Sequence, residues 1–522
     1  MKKHFIKSTI IFLALLAISG VIIINIIYHS DMSYWEIPQI QYYGIKSNVK
    51  SILITGFVLV VCYFCGKITL KRHTRTFMLL ITIALYGLVQ IIWIIWSPAR
   101  QFADSLQVIQ ISEQMTNNIK LTDYQINYLQ YYPQQLTMAI FFNNIFCITK
   151  CNNYFILQIL NVISNIFTAI GLYKITLKLR KKYNVNYILF FIMIFSFLPI
   201  ILLSTFVYGD FIGMSCSIWS VYFCIKYTEK DKGRYCWYVG ILMFLACTVR
   251  MNFFIFVIAI IINLFQVKLE QEPVSSKKWW KYIVLCVAII SIVFVPNMIL
   301  KKIYAVKYDI QLDKSFSTIP YLYMGMSEGE RANGWYNDEI GEIVSNLMNS
   351  KFDSESILEI CKQKLQDRAR FLFNHPIYAF KFYRDKMVTI WADPTMEYKF
   401  YNTYEIDSEY KNQNVICKEI LFGKAYDYIV VYQKSLIMLI LIGAAATIGL
   451  KRKRISSNIT LPYLIFLGGF MFHIIWEAKS RYIIPYIIVL IPNSCIGITT
   501  IIRLIEKKLK RCKWGVIWKK YQ

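Results

Sequence analysis

Four charged residues lie at the ends of long apolar runs: Asp104, Asp210, Arg250 and Arg481. A charged side chain near the membrane is costly unless it is paired or lines a watery cavity, so it is typical of a functional site. A carboxylate there can accept a proton from a hydroxyl group. A guanidinium there can bind an anion such as a phosphate through paired N–H donors. The four residues are therefore candidates for a functional site near the membrane surface, with Arg250 well placed to meet an anion.

Asp104 lies in the polar stretch 97–135, which also holds Asp123 and is framed by apolar runs. An aspartate just past a membrane helix is also typical of a solvated loop or a helix cap, and this alternative stays open. The stretch ends in the run Tyr131-Tyr132-Pro133-Gln134-Gln135, which opens an amphipathic segment. Asp123 is the alternative acid of the same stretch.

Asp210 and Arg250 each stand at a break between apolar segments. Asp210 ends the motif Tyr208-Gly209-Asp210, and Arg250 interrupts what would otherwise be one long hydrophobic stretch. A simple turn built by glycine and aspartate is the alternative explanation for the first motif. An arginine that extends its side chain to the membrane surface is the alternative for the second.

The composition identifies a polytopic membrane protein. The 522 residues are 57% hydrophobic and only 17% charged, whereas soluble domains have about 25% charged residues. The formal charge of +27 would also fit nucleic-acid binding, but the basic residues lie in short loops between apolar runs, so we predict no nucleic-acid partner. The 13 cysteines predict no disulfide framework, although a bridge between Cys361 and Cys417 stays open.

Apolar runs of about 20 residues or somewhat fewer predict twelve spanning helices, at 7–28, 51–70, 77–97, 154–174, 186–206, 211–227, 235–248, 250–267, 280–300, 431–450, 459–476 and 481–503. Lysine and arginine concentrate in alternate short loops, which predicts that both termini are cytoplasmic. This bias holds only if the apolar segment 134–149 does not cross, so we predict a juxtamembrane or half-inserted helix there. The expected fold class is an all-α polytopic membrane protein.

This topology collects the polar residues near helix ends on one outer face. The features predicted to lie on that face are the loop 98–153, Asp210, Arg250, the loop 301–430 and the segment from Glu477 to Arg481. The last segment carries three charges in five residues, including bases that the positive-inside bias disfavours outside. A capped loop is the alternative explanation for it.

The apolar runs divide the chain into four predicted regions. They are an N-terminal helix pair in 1–76, a membrane core in 77–300, an outer region in 301–430, and C-terminal helices with a basic tail in 431–522. The outer region holds 19 of the 31 acidic residues and nearly as many bases, so we expect it to fold. Segments 338–348 and 354–373 have helical spacing of apolar residues. Segment 376–391 alternates aromatic and basic residues, as interfacial helices do. Gly334-Trp335-Tyr336-Asn337 predicts a turn with aromatic rings of the kind that contact sugars.

These motifs resemble the GT-C superfamily of membrane glycosyltransferases, in particular the branch with protein O-mannosyltransferases and aminoarabinose transferases. Such proteins carry an essential acid in an outer loop and then a Pro-containing juxtamembrane helix, which Asp104 and Pro133 match. Asp210 matches a second outer-loop acid. The pattern Glu-x-x-x-Arg-Tyr from Glu477 to Tyr482 matches the end of many bacterial members. The resemblance extends over 77–503 as sparse motifs.

The resemblance implies a GT-C-like helix bundle that moves a sugar from a polyprenyl-phosphate-linked lipid to an envelope glycan, lipid or protein. It implies Asp104 and Asp210 as catalytic residues and Arg250 and Arg481 as binders of the donor phosphate. The substrate-binding residues it implies are Tyr132, Gln134, Gln135, Tyr208, Glu477 and Tyr482. No cofactor is assigned. A divalent metal ion stays open, because the two glutamines replace stronger ligands that some relatives have.

The alternative function is a polysaccharide transporter, flippase or polymerase of the envelope. A transporter would place charges at mid-membrane and show paired halves with broken helices. In this sequence the unusual polar residues lie at helix ends instead. We therefore favour the transferase, in the plasma membrane with its site facing outside and in contact with membrane lipids.

Overall fold

A computed structural model describes residues 2–32, 37–66, 72–180, 183, 185–271, 279–312, 318–348, 354–404, 414–451 and 456–520. The helices before the outer region are α1 (Lys2–Ile27), α2 (Ile45–Gly66), α3 (Arg72–Trp96), α4 (Ala103–Thr116), α5 (Asp123–Tyr131), α6 (Pro133–Thr149), α7 (Phe155–Arg180), α8 (Tyr187–Phe195), α9 (Leu198–Leu202), α10 (Asp210–Lys230), α11 (Arg234–Val249), α12 (Phe254–Gln271) and α13 (Trp279–Tyr308). Those that follow are α14 (Ile319–Met326), α15 (Asp338–Met348), α16 (Ser354–Asn374), α17 (Pro376–Trp391), α18 (Tyr398–Thr403), α19 (Val415–Phe422), α20 (Lys424–Lys451), α21 (Ser457–Ile475), α22 (Ile484–Ile488) and α23 (Ile491–Lys520).

The predicted fold class, an all-α polytopic membrane protein, is confirmed. Within the described residues, eight helices are long and apolar enough to cross a membrane, and a ninth is added if the bent pair at 480–508 forms one span. The other three predicted spans are also helical, as α2, α10 and α11; residues 67–70 of the first lie outside the described residues. Large apolar side chains stay exposed on the outside of the bundle, such as Trp280 at 70% on α13, as expected for a lipid-facing surface.

A β-hairpin between α1 and α2 was not predicted. Strand β1 (Tyr28–Met32) pairs antiparallel with β2 (Pro38–Tyr42). The hairpin is held against the outer region, because the Ser30 backbone N–H donates to the Ala392 carbonyl at 3.1 Å. It is also held against α20, where Lys434 Nζ donates to the Tyr28 carbonyl at 2.8 Å.

The loop 98–153, the predicted first outer loop, is built from three helices. α5 begins with a capping box, in which the Thr122 hydroxyl and the Gln125 side chain bond reciprocally to backbone N–H groups. α6 begins with Pro133 in its first turn, where a missing N–H costs nothing. α6 covers the predicted juxtamembrane segment 134–149, and α4 packs on it: Thr116 Oγ1 donates to Asn143 Oδ1 at 3.0 Å. This contact explains an asparagine inside an apolar segment.

The outer region contains the helices expected from its sequence pattern. α15 has the predicted bounds, α16 is one residue longer, and α17 covers the predicted interfacial segment. α13 continues to Tyr308 and α20 begins at Lys424, so the region between them is shorter than 301–430. Cys361 and Cys417 are both free; Cys417 Sγ instead donates to the Trp96 carbonyl at 3.2 Å.

Candidate active site

The turn before α10 brings Asp210 to Arg250. Gly209 caps α10 with a φ of 74°, a conformation that residues with a Cβ rarely adopt. A Cβ atom at Gly209 would also lie 2.9 Å from Val249 Cβ, so glycine is needed for this close approach to the end of α11. Because the two charged residues directly follow Gly209 and Val249, their side chains come together.

Asp210 pairs with both arginines of the predicted site. Its Oδ1 lies 3.1 Å from Arg250 Nη1, and its Oδ2 accepts from Arg481 Nη1. The side chains of Arg481, Arg250 and Asp210 are only 4%, 11% and 22% exposed. Two positive charges against one negative charge leave this triad with a net positive charge. Because the triad lies largely out of bulk water, that charge attracts an anion strongly.

Aromatic rings cover the two guanidinium groups. Arg250 Cζ lies 4.6 Å from the centroid of the Tyr208 ring and 4.8 Å from that of Tyr482. Arg481 Cζ lies 4.5 Å from the centroid of the Phe206 ring. Such cation–π contacts stabilise a desolvated guanidinium and fix the orientation of its plane.

Asp104 has a different environment. It stands exposed in the first turn of α4, where the helix dipole stabilises a carboxylate. Its Oδ1 accepts a hydrogen bond from Tyr128 Oη and its Oδ2 accepts one from Tyr208 Oη, both at 2.9 Å. In the described part of the chain, no ion pair neutralises Asp104. Its charge is therefore oriented by hydroxyl groups and remains available to a substrate.

Tyr208 links the two aspartates. Its hydroxyl donates to Asp104 and accepts from Gln135 Nε2 at 2.6 Å, while its ring lies against Arg250, the partner of Asp210. The sequence had suggested Tyr208 and Gln135 only as substrate contacts. Tyr128 was missed, and its one signal was the tyrosine-rich composition of the stretch around it.

A cavity of about 1080 Å³ lies between the first outer loop, the end of α11 and the outer region. Eight of the predicted site residues line it: Asp104, Tyr132, Gln134, Gln135, Tyr208, Arg250, Glu477 and Tyr482. A much smaller cavity adjoins it and is lined by Asp210 and Arg481 together with Arg250 and Tyr482. The ten predicted residues therefore surround two adjoining cavities, whereas Asp123 lines neither.

Glu477 lies half-buried in the cavity wall, in the segment that joins α21 to the 3-10 turn Ser480–Ile483. Burial raises the pKa of Glu477 to about 7, so both of its protonation states are populated near neutral pH. Lys386 of α17 fixes this segment. Its Nζ donates to the carbonyls of Gly325, Ile474 and Trp476 at 2.5, 3.0 and 2.8 Å.

Two buried acids of the outer region position the segment that contains Arg481. Ser480 Oγ donates to Asp393 Oδ2 at 2.7 Å, and the Ser480 N–H donates to Glu397 Oε1 at 2.9 Å. Burial raises the pKa of Asp393 to about 7. Sequence reasoning missed this role for both acids, because the pairs join positions more than 80 residues apart.

The two glutamines of the first outer loop bind tyrosines. Gln134 Nε2 donates to Tyr321 Oη at 2.6 Å, as Gln135 does to Tyr208. Among the residues that the structure describes, no three His, Cys, Asp or Glu side chains are grouped so that they could hold a metal ion.

Part of the lining of this cavity lies in a segment that matches a known protein family. Residues 132–299 match the family model described as dolichyl-phosphate-mannose-protein mannosyltransferase. That family belongs to the GT-C superfamily, so the resemblance expected from the motifs is confirmed. The match supports a membrane glycosyltransferase with a polyprenyl-phosphate-linked sugar donor. No curated protein matches the chain.

The match covers roughly a third of the chain and part of the site. Tyr132, the two glutamines, Tyr208, Asp210 and Arg250 lie inside it. Asp104 precedes it and Glu477 and Arg481 follow it, so their place in the site rests on the geometry described above.

Proposed function

We propose that the chain transfers a sugar from a polyprenyl-phosphate-linked donor to a hydroxyl group of an envelope glycan, lipid or protein. One observation carries this proposal: Asp104, which has no ion-pair partner in the described chain, and Arg250 of a net positive triad line the same cavity. Such a transfer needs both groups, since a hydroxyl must lose a proton while a lipid phosphate departs with its charge.

Asp104 acts as the general base. Each carboxylate oxygen has two acceptor directions, and the two tyrosine hydroxyls use one on each oxygen. The remaining directions can accept the proton of the acceptor hydroxyl as its oxygen attacks the anomeric carbon. The bond from that carbon to the phosphate oxygen then breaks, and the polyprenyl phosphate leaves as an anion. Positioned base catalysis of this kind contributes about 10²–10⁴-fold in rate.

Arg250 contacts the donor phosphate, because it lines the large cavity. Arg481 and Asp210 lie behind it and set its charge and orientation. Met138, Val249 and Met251 line the cavity beside Arg250, and this apolar surface suits the first isoprene units of a lipid whose phosphate lies at the membrane interface.

The direct test uses the purified full-length protein with polyprenyl-phosphate sugars labelled in the sugar and an envelope extract as acceptor. The label should move from the lipid to the extract. If the protein instead moved an intact lipid-linked glycan across vesicle membranes and left the sugar–phosphate bond unbroken, the transporter would replace the transferase.

The site is proposed to face outside, with both termini in the cytoplasm. Asp367 on α16 and Asp231 after α10 have side chains that are 77% and 60% exposed, so a cysteine at either position is accessible to a reagent. In intact cells, an impermeant maleimide should label Asp367→Cys above the wild-type background and leave Asp231→Cys unlabelled. The reverse pattern would invert the topology.

A further inference from the structure

We infer that the acceptor is a carbohydrate, bound in the cavity at an aromatic subsite formed by Tyr124, Asn127, Tyr321, Trp335 and Tyr336. This inference rests on the proposed function, which leaves a glycan, a lipid and a protein open as acceptors.

The lining of the cavity has the chemistry of a sugar site. Nine of its 25 residues are tyrosine or tryptophan and five are asparagine or glutamine, while the chain as a whole is 16% aromatic. A sugar ring has apolar C–H faces, which pack on aromatic rings, and hydroxyl edges, which bond to amides and tyrosine hydroxyls. The enrichment therefore favours a ligand with both kinds of surface.

The cavity is larger than the donor sugar requires. Pockets for drug-sized ligands have volumes of about 300–1,000 Å³, and this cavity has about 1080 Å³. Space is therefore left for an acceptor of more than one sugar unit next to the donor.

Tyrosines of α5 connect the subsite to the general base. Tyr124 and Tyr128 of α5 and Tyr132, which directly follows this helix, recur every fourth residue and all line the cavity, as expected for one stripe along a helix. Tyr128 donates to Asp104, and Tyr124 lies one helical turn, about 5.4 Å, before it. A sugar packed on Tyr124 would thus place its hydroxyls within reach of the carboxylate.

A peptide bound by strand addition, or a second lipid, fits the lining less well. Peptides that add to a sheet need an unpaired strand edge, whereas the described lining residues belong to helices and short turns. A lipid needs an extended apolar wall, but the apolar residues of the lining are divided between the surroundings of Arg250, with Met138, Val249 and Met251, and isolated positions such as Met324. The aromatic subsite instead offers rings and hydrogen-bonding groups, with the Arg331 guanidinium 5.5 Å from the centroid of the Tyr336 ring.

Tyr124→Ala tests the subsite with little risk to folding, because Tyr124 is 53% exposed. Purified full-length protein is applied to an array of defined oligosaccharides and to an array of serine- and threonine-containing peptides. Wild type should bind oligosaccharides, and Tyr124→Ala should bind them about three- to tenfold more weakly, as expected for the loss of one ring contact. Tyr124→Phe keeps the ring and should retain most of the affinity.

Tyr428→Ala is the matched control, since Tyr428 is 75% exposed and does not line the cavity; it should bind as wild type does. Binding to peptides alone, binding to neither array, or an equal loss in both alanine variants would overturn the carbohydrate subsite. Binding of a labelled polyprenyl-phosphate sugar is measured separately. Its absence from wild type would count against the proposed function, while oligosaccharide binding that depends on Tyr124 would still support the subsite.

Discussion

Asp104→Asn is the substitution that separates chemistry from binding in this site. The asparagine has nearly the same shape, but at neutral pH it cannot accept a proton. If Asp104 is the base, transfer should fall by about 10²–10⁴-fold. Binding of the donor lipid should stay near the wild-type value, because it is assigned to Arg250.

The expected cost in stability follows from the contacts of the carboxylate. Two tyrosine hydroxyls donate to the charged carboxylate of Asp104, whereas an asparagine offers one acceptor oxygen and one NH2 donor. One bond then goes to a neutral oxygen and the bond with Tyr128 reverses, with the asparagine Nδ2 donating to Tyr128 Oη, each weaker by about 1 kcal/mol. The asparagine Oδ1 should face Tyr208, because that hydroxyl already accepts from Gln135 and needs an acceptor for its own proton. Loss of the interaction with the helix dipole adds about 0.3–1 kcal/mol. A loss of a few kcal/mol lowers the melting temperature without preventing folding.

The measurement compares sugar transfer, donor binding and thermal unfolding in three purified proteins. They are the wild type, Asp104→Asn and Asp123→Asn. The last is a matched control, because Asp123 also stands in the first turn of a neighbouring helix but lines neither cavity. Normal transfer in Asp104→Asn, or an equal loss in both variants, would refute the assignment of Asp104 as the base.

Three further substitutions test the surroundings of the base. Arg481→Ala should weaken donor binding by roughly tenfold, because Asp210 then neutralises the charge of Arg250. The double variant Arg481→Ala with Asp210→Asn should recover part of this affinity. Unchanged donor binding in Arg481→Ala would remove Arg481 from the donor site. Gly209→Ala should lower the free energy of unfolding, measured by chemical denaturation, by about 1–3 kcal/mol and should reduce sugar transfer. Gly233→Ala is the control, because a Cβ atom there meets nothing within 4 Å, and its free energy of unfolding should be close to the wild-type value. Burial raises the pKa of Glu477 to about 7, so this carboxyl group ionises as the pH rises through that value. Donor affinity should then fall between pH 6 and about 8, and it should depend less on pH in Glu477→Gln than in the wild type.

Hydropathy predicted the helices well because a span is a local property of the sequence. Each of the twelve predicted runs is mainly helical over its described residues. The spacing of apolar residues also predicted the helices at 338–348 and 354–373, the second of which ends one residue later. The hairpin at Tyr28–Met32 and Pro38–Tyr42 gave no comparable signal. Its strands are only five residues long, and the contacts that hold it reach Ala392 and Lys434, far along the chain.

Within the site, too, local features of the sequence were predictable and long-range contacts were not. Asp104, Asp210 and Arg250 were identifiable because a charge at the end of an apolar run is unusual whatever its partners are. Tyr128 and Asp393 were not, because a tyrosine in a polar helix and an acid in a polar region are ordinary until their partners are known. Their roles arise from tertiary contacts to Asp104 and Ser480, which no periodicity encodes.

Under the proposed function, the different surroundings of two similar acids let one site hold both a base and an anion. Asp104 and Asp210 each stand in the first turn of a helix, so position in a helix does not distinguish them. Asp210 pairs with two arginines, and the triad keeps a surplus positive charge. Asp104 meets two hydroxyl groups, which orient its charge and leave it free to accept a proton. Tyr208 contacts Asp104 with its hydroxyl and Arg250 with its ring, so Tyr208→Phe, which keeps the ring, should impair transfer more than donor binding.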